Sequence, residues 1–305
     1  MSILVVGTVA FDAIETPHGK TDKIVGGAAT YICLSSSYFT NKINLVSVVG
    51  DDFPTSAIYM LQNKKVDTQG LQIKKGEKTF FWSGKYHNNM NTRDTLETQL
   101  NVLETFNPVV PDEFKKSEYL MLGNLMPSVQ KKVLDQMVKR PKIIVLDTMN
   151  FWMDHFMEDL KEALKEVDVL TINDEEARQL SGEYSLKKAA KTILKMGPQY
   201  LIIKKGEHGA LLFDNNEVFY TPALPLDNVL DPTGAGDSFA GGFIGYLEKT
   251  KDITFENMKR AVVYGSVLAS FCVERFGTKN LEKITQEQIN SRVNKFVNLV
   301  KFDLV

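Results

Sequence analysis

Short, largely apolar runs and longer amphipathic stretches alternate along this 305-residue chain. Such runs predict strands that are buried on both sides, as in a parallel sheet. The helical patterns between them predict helices that cover both faces of that sheet. The predicted fold class is therefore α/β, with parallel strands at residues 3–6, 43–49, 119–122, 143–146, 167–172 and 200–203 and an antiparallel hairpin at 210–213 and 218–220.

One segment departs from this pattern. Residues 78–86 read KTFFWSGKY, which places Phe80 and Trp82 on one face of an extended chain and Phe81 on the other. Aromatic residues on both faces are unusual for a hairpin that faces only solvent. The pattern therefore predicts a strand that contacts a ligand or another protein surface.

The stretch 230–243, LDPTGAGDSFAGGF, combines a turn of small residues with the start of a helix. The first turn of a helix has backbone N–H groups without intrahelical partners, and the peptide dipoles add partial positive charge there. Gly234 and Gly236 lack Cβ, so an anion can approach the backbone closely. The stretch predicts a phosphate-binding turn.

Asp237 adds chemistry to this turn. A carboxylate among anion-binding amides repels the anion, which makes little sense in a site that only binds phosphate. It makes sense where a hydroxyl must lose its proton beside a phosphoryl group. The alternative is that Asp237 only caps the helix, a common role for Asp; the dense surroundings favour the catalytic interpretation.

The segment DPTGAGD resembles the D-T-x-G-A-G-D signature of the ribokinase-like (pfkB) carbohydrate kinases, with matches at Asp231, Thr233 and 234–237. Further resemblances follow the family's order: VGTVAFD with Asp12, the pair Gly26-Gly27, Asn173-x-x-Glu176 and KGEHG at 205–209. The Walker A pattern is not found. The resemblance implies one domain over 1–305, folded as a three-layer sandwich with a small β lid at roughly 13–25 and 76–94.

The resemblance also implies roles for individual residues. Asp237 would be the general base, and Gly234, Ala235 and Gly236 would form the anion hole. Asp231, with Thr233, would supply oxygens to a monovalent cation such as K⁺, and Glu176 would hold Mg²⁺ through water. The remaining implied contacts are with the acceptor substrate, at Asp12, Gly26, Gly27 and Tyr31, and with ATP, at Asn173, Lys204, Gly206, Gly209 and Thr233.

Several of these residues have plainer explanations. Gly26 and Gly27 would also suit tight packing of a helix on the sheet. Ribose-specific relatives typically read GGKGAN where this chain reads GGAATY, so Tyr31 either packs beneath a substrate ring or belongs to the core. Lys204 would be solvated if it did not contact phosphate. The lid aromatics predict either stacking on substrate or a homodimer contact.

Composition excludes other classes of function. The net charge of −2 and the pI of 6.2 give no electrostatic reason to expect nucleic acid or an anionic membrane as partner. Cys33, Cys272 and four histidines do not suggest a disulfide framework or a metal cluster. Residues 1–6 lead directly into a strand without a basic and apolar leader, so the expected location is the cytoplasm.

The sequence thus predicts an ATP- and Mg²⁺-dependent kinase that phosphorylates an alcohol group of a sugar. The alternative acceptor is a nucleoside, because Tyr31 and the aromatic lid could stack on a base. A binding protein without activity on the same fold is disfavoured by the presence of Asp237. A nicotinamide dehydrogenase is disfavoured because VGTVAF lacks the G-x-G-x-x-G pattern.

Overall fold

The computed structural model describes residues 2–303 and contains a nine-stranded sheet between two layers of helices. The strand order is β14-β13-β12-β11-β10-β9-β1-β5-β6. The strands from β1 to β12 in this sheet run parallel, and the edge strands β13 and β14 form the predicted antiparallel hairpin. The strands are β1 (Ile3–Val6), β5 (Ile43–Gly50), β6 (Val66–Lys74), β9 (Tyr119–Leu122), β10 (Ile143–Asp147), β11 (Val169–Asn173), β12 (Tyr200–Lys204), β13 (Ala210–Phe213) and β14 (Val218–Thr221).

Alternating side chains of the central strands build two separate cores. Ile3 and Val5 of β1 point into one core, and Leu4 and Val6 point into the other. Since successive side chains of a strand point to opposite faces, a wholly apolar strand must be covered by helices on both sides. The first core packs against α1 (Ala28–Ser36), α2 (Thr55–Asn63), α8 (Ala235–Thr250), α9 (Phe255–Cys272) and α10 (Gln286–Val300).

The second core lies under five further helices on the opposite face. This completes the three-layer α/β sandwich that the sequence predicted. Among residues 2–303, no helix is both long and apolar enough to cross a bilayer. The helices of this layer are α3 (Pro127–Leu134), α4 (Asn150–His155), α5 (Met157–Leu164), α6 (Asp174–Ser181) and α7 (Leu186–Leu194).

A second, five-stranded sheet forms the lid. Its second piece differs most from the prediction: it begins at Phe81 rather than at residue 76, and it extends to Gln99 rather than to residue 94. Residues 77–80 are irregular, and Thr79 there is anchored by Asp52, whose Oδ1 accepts a hydrogen bond from Thr79 Oγ1 (2.6 Å). The lid strands are β2 (Ala10–Thr16), β3 (Gly19–Lys20), β4 (Ile24–Gly26), β7 (Phe81–Tyr86) and β8 (Arg93–Gln99).

The register of the lid strands separates an inner face from an outer face. Asp12 pairs with Trp82, and Tyr86 pairs with Arg93, so these four side chains share the inner face, which lies over the carboxyl ends of the central strands. On the outer face, Lys85 Nζ lies 2.7 Å from Glu15 Oε1. The inner face therefore carries the side chains that can reach a substrate.

Candidate active site

Three strands of the central sheet end in polar side chains that lie beside the start of α8. Asp147 ends β10, Asn173 ends β11 and Lys204 ends β12. Ligands in open α/β sheets bind beyond the carboxyl ends of the strands. The lid covers this edge, and the result is a cleft with Asp237 on one side and Asp12 on the other.

The N-terminus of α8 has the features of an anion site. Gly234 precedes the helix with φ of 76°, and a Cβ at this position would overlap the ring of Tyr31. Within residues 2–303, the backbone N–H groups of Gly234, Gly236 and Asp237 make no backbone hydrogen bond, whereas Ala235 N–H donates to the Pro232 carbonyl at 3.1 Å. The N–H of Asp237 donates to its own carboxylate, so the open donors of the predicted anion hole are the amides of Gly234 and Gly236.

Asp237 lies in the first turn of α8 and is partly buried. Burial, and next the carboxylate of Asp147, raise the pKa of Asp237 to about 7, against the opposing charges of Lys204 and Arg93. A carboxyl group with this pKa is a competent proton acceptor near neutral pH. Asp237 is not the N-cap residue of α8, because Gly234 occupies that position.

Lys204 brings a positive charge to the same turn. Its Nζ lies 3.2 Å from Asp147 Oδ1, and it would lie 3.1 Å from a Cβ placed on Gly236. Burial opposes the charge, but the carboxylates of Asp147, Glu176 and Asp237 raise the pKa of Lys204 above its usual range. The alternative of a solvated lysine is therefore wrong for Lys204, which is held at the anion site.

The N-x-x-E motif forms a capping box at the start of α6. Asn173 N–H donates to Glu176 Oε2 (2.8 Å), and Glu176 N–H donates to Asn173 Oδ1 (2.8 Å). Within residues 2–303, Glu176 Oε1 has no hydrogen-bond partner, although the residue is buried. Burial raises the pKa of Glu176 to about 7, partly offset by the charge of Lys204. The cap fixes one oxygen of this carboxylate and leaves the other for a ligand.

Asp231 links the signature loop to the loop that follows α9. Its Oδ1 accepts the N–H of Thr233 at 2.8 Å, and its Oδ2 accepts the N–H of Gly277 at 2.9 Å. Asp231 is fully buried. Burial raises its pKa, and these two amides lower it. The first role of this carboxylate is thus to hold two loops together.

The glycine pair before α1 packs closely against its neighbours and positions Asp12. A Cβ on Gly26 would overlap Asp12 Oδ2, and one on Gly27, where φ is 89°, would lie 2.5 Å from the Thr8 carbonyl oxygen. Gly27 N–H donates to Asp12 Oδ2 at 3.3 Å. Burial, and the charges of Asp231 and Asp237, raise the pKa of Asp12 to about 7. Tight packing therefore explains why both positions are glycine, and their contact with the acceptor stays a prediction.

Two other predicted contacts are also corrected. Tyr31 is 1% exposed, and its ring supports Gly234 from within the core, so it does not stack on a substrate. Gly209 (φ 83°) packs against the backbone of Thr221 and Pro222, so it serves the turn between β12 and β13. Gly206 is exposed beside the cleft, where it faces the side chain of Asn91 in the lid.

Sequence patterns did not reveal three residues of this site. Asp147 was visible only as an acid at a strand end, where many acids are turn residues. Tyr86, whose hydroxyl accepts a hydrogen bond from Thr233 Oγ1 (3.1 Å), and Arg93 belong to the lid. Only the strand register shows that both lie on its inner face, and no local motif carries that information.

This arrangement can be compared with known proteins. The family profile described as pfkB family carbohydrate kinase matches residues 1–284. The chain belongs to this family. It is therefore an ATP-dependent kinase, as the signature around Asp237 predicted.

Several relatives of this kinase align over most of their length. It is 28% identical over 253 residues to the cytidine kinase of Thermococcus kodakarensis, which covers 81% of this chain and 88% of the relative. It is 26% identical over 292 residues to the nucleoside kinase of Methanothermobacter thermautotrophicus, which covers 91% of both. An E. coli protein provisionally named ribokinase II, in complex with ATP and Mg²⁺, has the same fold, with 20% identity, a TM-score of 0.79 and coverage of 96% and 99% of the two chains.

Proposed function

We propose that this kinase transfers the γ-phosphoryl group of ATP to a hydroxyl of a nucleoside, with Mg²⁺ as the accompanying ion. This proposal rests on one observation: the Asp237 carboxylate lies close to the open amides at the start of α8 and to the Lys204 cation. Asp12 faces this group from the other side of the cleft and would accept hydrogen bonds from acceptor hydroxyls.

In this proposal, each step of the phosphoryl transfer has a residue that performs it. Asp237 accepts the proton of the acceptor hydroxyl as its oxygen attacks the γ-phosphorus. The bond from that phosphorus to the ADP oxygen breaks, and ADP leaves. The amides of Gly234 and Gly236, with Lys204, stabilise charge on the transferring oxygens.

The carboxylates suit a Mg²⁺ ion that is held mainly by nucleotide phosphates. Within residues 2–303, no three Asp, Glu, His or Cys side chains converge as a ready-made metal site. Glu176, with one oxygen free, fits contact through water, which is common for this ion. Mg²⁺ would neutralise phosphate charge during transfer. The Asp231 carboxylate, between Thr233 and Gly277, supports a monovalent cation such as K⁺ beside the same loop.

The lid favours a nucleoside over a free sugar as the acceptor. Trp82 is half-buried on the inner face beside Asp12, and its indole lies along Gly84, where a Cβ would overlap it. An aromatic face next to the sugar-binding carboxylate suits a base attached to the ribose. The cytidine and nucleoside kinase relatives, which align over most of this chain, support the same acceptor. A free sugar is the second candidate, since Trp82 would also stack on a sugar ring.

A homodimer through the lid would fit the open edge of this sheet. All seven residues of β8 are exposed, and Leu96 at 57% and Leu100 at 47% add apolar surface. An exposed edge strand is a template for pairing with a second chain. Measuring mass in solution tests this part of the proposal, and a monomer at all concentrations would contradict it.

The test of the proposed function is ADP release from Mg-ATP across a panel of nucleosides and free sugars. We expect turnover with a nucleoside, a fall in kcat of about 10³-fold or more in the Asp237→Asn protein, and a rise of about tenfold in KM for the nucleoside in Trp82→Ala, from the loss of one stacked ring. Phe81→Ala, on the outer face of the same strand, is the matched control and should leave KM near the wild-type value. Turnover of a free sugar alone would replace the nucleoside proposal with a sugar kinase.

A further inference from the structure

The end of the lid that carries Arg93 is fixed over the signature loop. Arg93 is the cross-strand partner of Tyr86, so the two side chains lie on the same face. The Tyr86 hydroxyl is buried and accepts a hydrogen bond from Thr233 Oγ1, two residues before Ala235. Arg93 is therefore held on the lid directly above the start of α8.

The guanidinium group of Arg93 differs from other cations of the lid in its lack of a protein acceptor. Within residues 2–303 it makes no hydrogen bond and no ion pair, and its contact is with the ring of Trp82, 5.7 Å from the ring centre. By contrast, the lid cations Lys20 and Lys85 pair with Glu15 on the outer face. An Arg with five donors and no acceptor on the protein is available to an anion.

Several anionic groups face Arg93 from the elements below. The carboxylates of Asp237 on α8 and Glu176 on α6 both experience its charge, which opposes the effect of burial on their pKa values. Asp147 and Lys204 lie between these two groups and already pair with each other. Arg93 thus faces the space between the anion hole and Glu176, where the terminal phosphate of ATP would lie.

A second lid contact closes this space on the nucleotide side. Asn91, two residues before Arg93, packs against Gly206 so closely that a Cβ at Gly206 would overlap its side-chain amide. The turn between β7 and β8 therefore touches the loop after β12 while Tyr86 touches the loop before α8. Arg93 lies between these two contacts.

We propose that Arg93 is a catalytic residue, which the closed lid places on the γ-phosphoryl group opposite the amides of α8. This inference rests on the proposed function. As the phosphorus leaves the ADP oxygen and bonds to the acceptor oxygen, negative charge spreads over its outer oxygens, and a bidentate guanidinium stabilises that charge. The proton still goes to Asp237, so Arg93 contributes charge alone and does not transfer a proton.

The experiment compares Arg93→Gln and Arg93→Lys with Lys85→Gln, which removes a cation from the outer face of the same lid. We expect Arg93→Gln to lower kcat by about 100-fold or more, the range seen on removal of a charge-stabilising donor. The KM for the acceptor should change by only a few-fold, Arg93→Lys should recover part of kcat, and Lys85→Gln should behave as the wild type.

A binding measurement separates this inference from the proposed function. Titration with the non-hydrolysable analogue AMP-PNP and with ADP, both with Mg²⁺, needs no acceptor. Arg93→Gln should bind AMP-PNP about tenfold more weakly and ADP with unchanged affinity, because only the former carries a γ-phosphate. If the wild type turned over no acceptor, the proposed function would be wrong, but this titration would still test whether Arg93 contacts the γ-phosphate. Equal AMP-PNP affinity, with kcat within threefold of wild type, would overturn the assignment. So would an effect limited to acceptor KM and reproduced by Trp82→Ala, since Arg93 would then only brace the indole.

Discussion

Two helices of this kinase begin at glycines beside the same cleft, but only one of them leaves its first amides open. Gly26 and Gly27 precede α1, whereas Gly234 precedes α8 and Gly236 lies in its first turn. At α1, Ala28 N–H donates to Thr8 Oγ1 and Ala29 N–H donates to the Thr8 carbonyl, both at 2.9 Å. Gly27 N–H donates to the Asp12 carboxylate. The α1 terminus is therefore occupied by the protein and cannot bind a phosphate.

At α8 the same kind of sequence leaves donors open. The N–H groups of Gly234 and Gly236 have no partner within residues 2–303, and the Lys204 cation lies beside Gly236. A glycine pair before a helix therefore does not define an anion site. The deciding feature is whether a side chain or a carbonyl has already satisfied the first amides.

The largest expected effect separates the two carboxylates attached to these helix starts. Asp237→Asn should lower kcat by about 10³-fold or more, within or above the usual range for a general base, with KM for the acceptor changed only a few-fold. Asp12→Asn should instead raise KM for the acceptor, because the proposed role of Asp12 is to orient the acceptor hydroxyls. Steady-state kinetics with the acceptor from the panel measures both. Substantial turnover in Asp237→Asn would falsify its role as base.

Adding one methyl group to each glycine start should produce different kinds of damage. Gly27→Ala forces φ of 89° on a residue with Cβ and drives that atom against Thr8, so we expect a loss of about 1–3 kcal/mol of folding stability. Gly236→Ala has no such backbone strain, but its methyl would press on Lys204 Nζ, and we expect kcat to fall about 10- to 100-fold.

Thermal unfolding and kinetics on the same two proteins check this contrast. Gly27→Ala should melt earlier and retain most of its turnover per folded molecule. Gly236→Ala should melt near the wild type. If Gly236→Ala lost stability and Gly27→Ala lost turnover at unchanged stability, the two helix starts would have exchanged roles.

The sequence predicts the fold and the α8 half of the site well, because both depend on local patterns. Apolar strands such as Ile3–Val6 and the turn around Gly234 carry their signals within a few residues. The other half depends on register between distant segments. Trp82 faces Asp12, and Arg93 faces Tyr86, only because of how β2, β7 and β8 pair, and a shift by one residue would turn each side chain outward.

Tyr31 also shows that local sequence patterns cannot predict contacts between distant segments. Its position after the glycine pair suggested a substrate contact, but the ring fills the space beneath Gly234, a residue about 200 positions later in the chain. The role of Tyr31 is set by α1 packing on α8, which no local pattern describes. The Tyr at the end of GGAATY thus supports the turn at Gly234.

The pH dependence of kcat/KM should report the ionisation of Asp237 at the start of α8. Burial raises the pKa of Asp237 to about 7, so the ionised base is lost below that pH and kcat/KM should fall about tenfold per unit. Activity should therefore rise through pH 7 and level off above it. A profile that stays flat from pH 5 to 8 would contradict the raised pKa.

Asp12 allows a separate check through stability. Its folded pKa of about 7 lies above the value of 3.8 in the unfolded chain, so its favourable contribution is complete below about pH 4 and is lost as pH rises through 7. Asp12→Asn removes that loss. The melting temperature of Asp12→Asn, relative to that of the wild type, should thus rise as pH increases from 5 to 8. A difference that stays constant over this range would contradict the prediction.

The smallest expected effect concerns the cap that occupies α1. Thr8→Val keeps the shape of the side chain but leaves the Ala28 N–H without its acceptor, so we expect a loss of about 1 kcal/mol and a fall of a few degrees or less in Tm. In the proposed mechanism the nucleotide phosphates bind the amides of α8 and not those of α1, so the rise in Tm on adding Mg-AMP-PNP should be the same in both proteins. A weakened nucleotide effect in Thr8→Val would mean that α1 also contacts phosphate, and the distinction between an occupied and an open helix start would then fail.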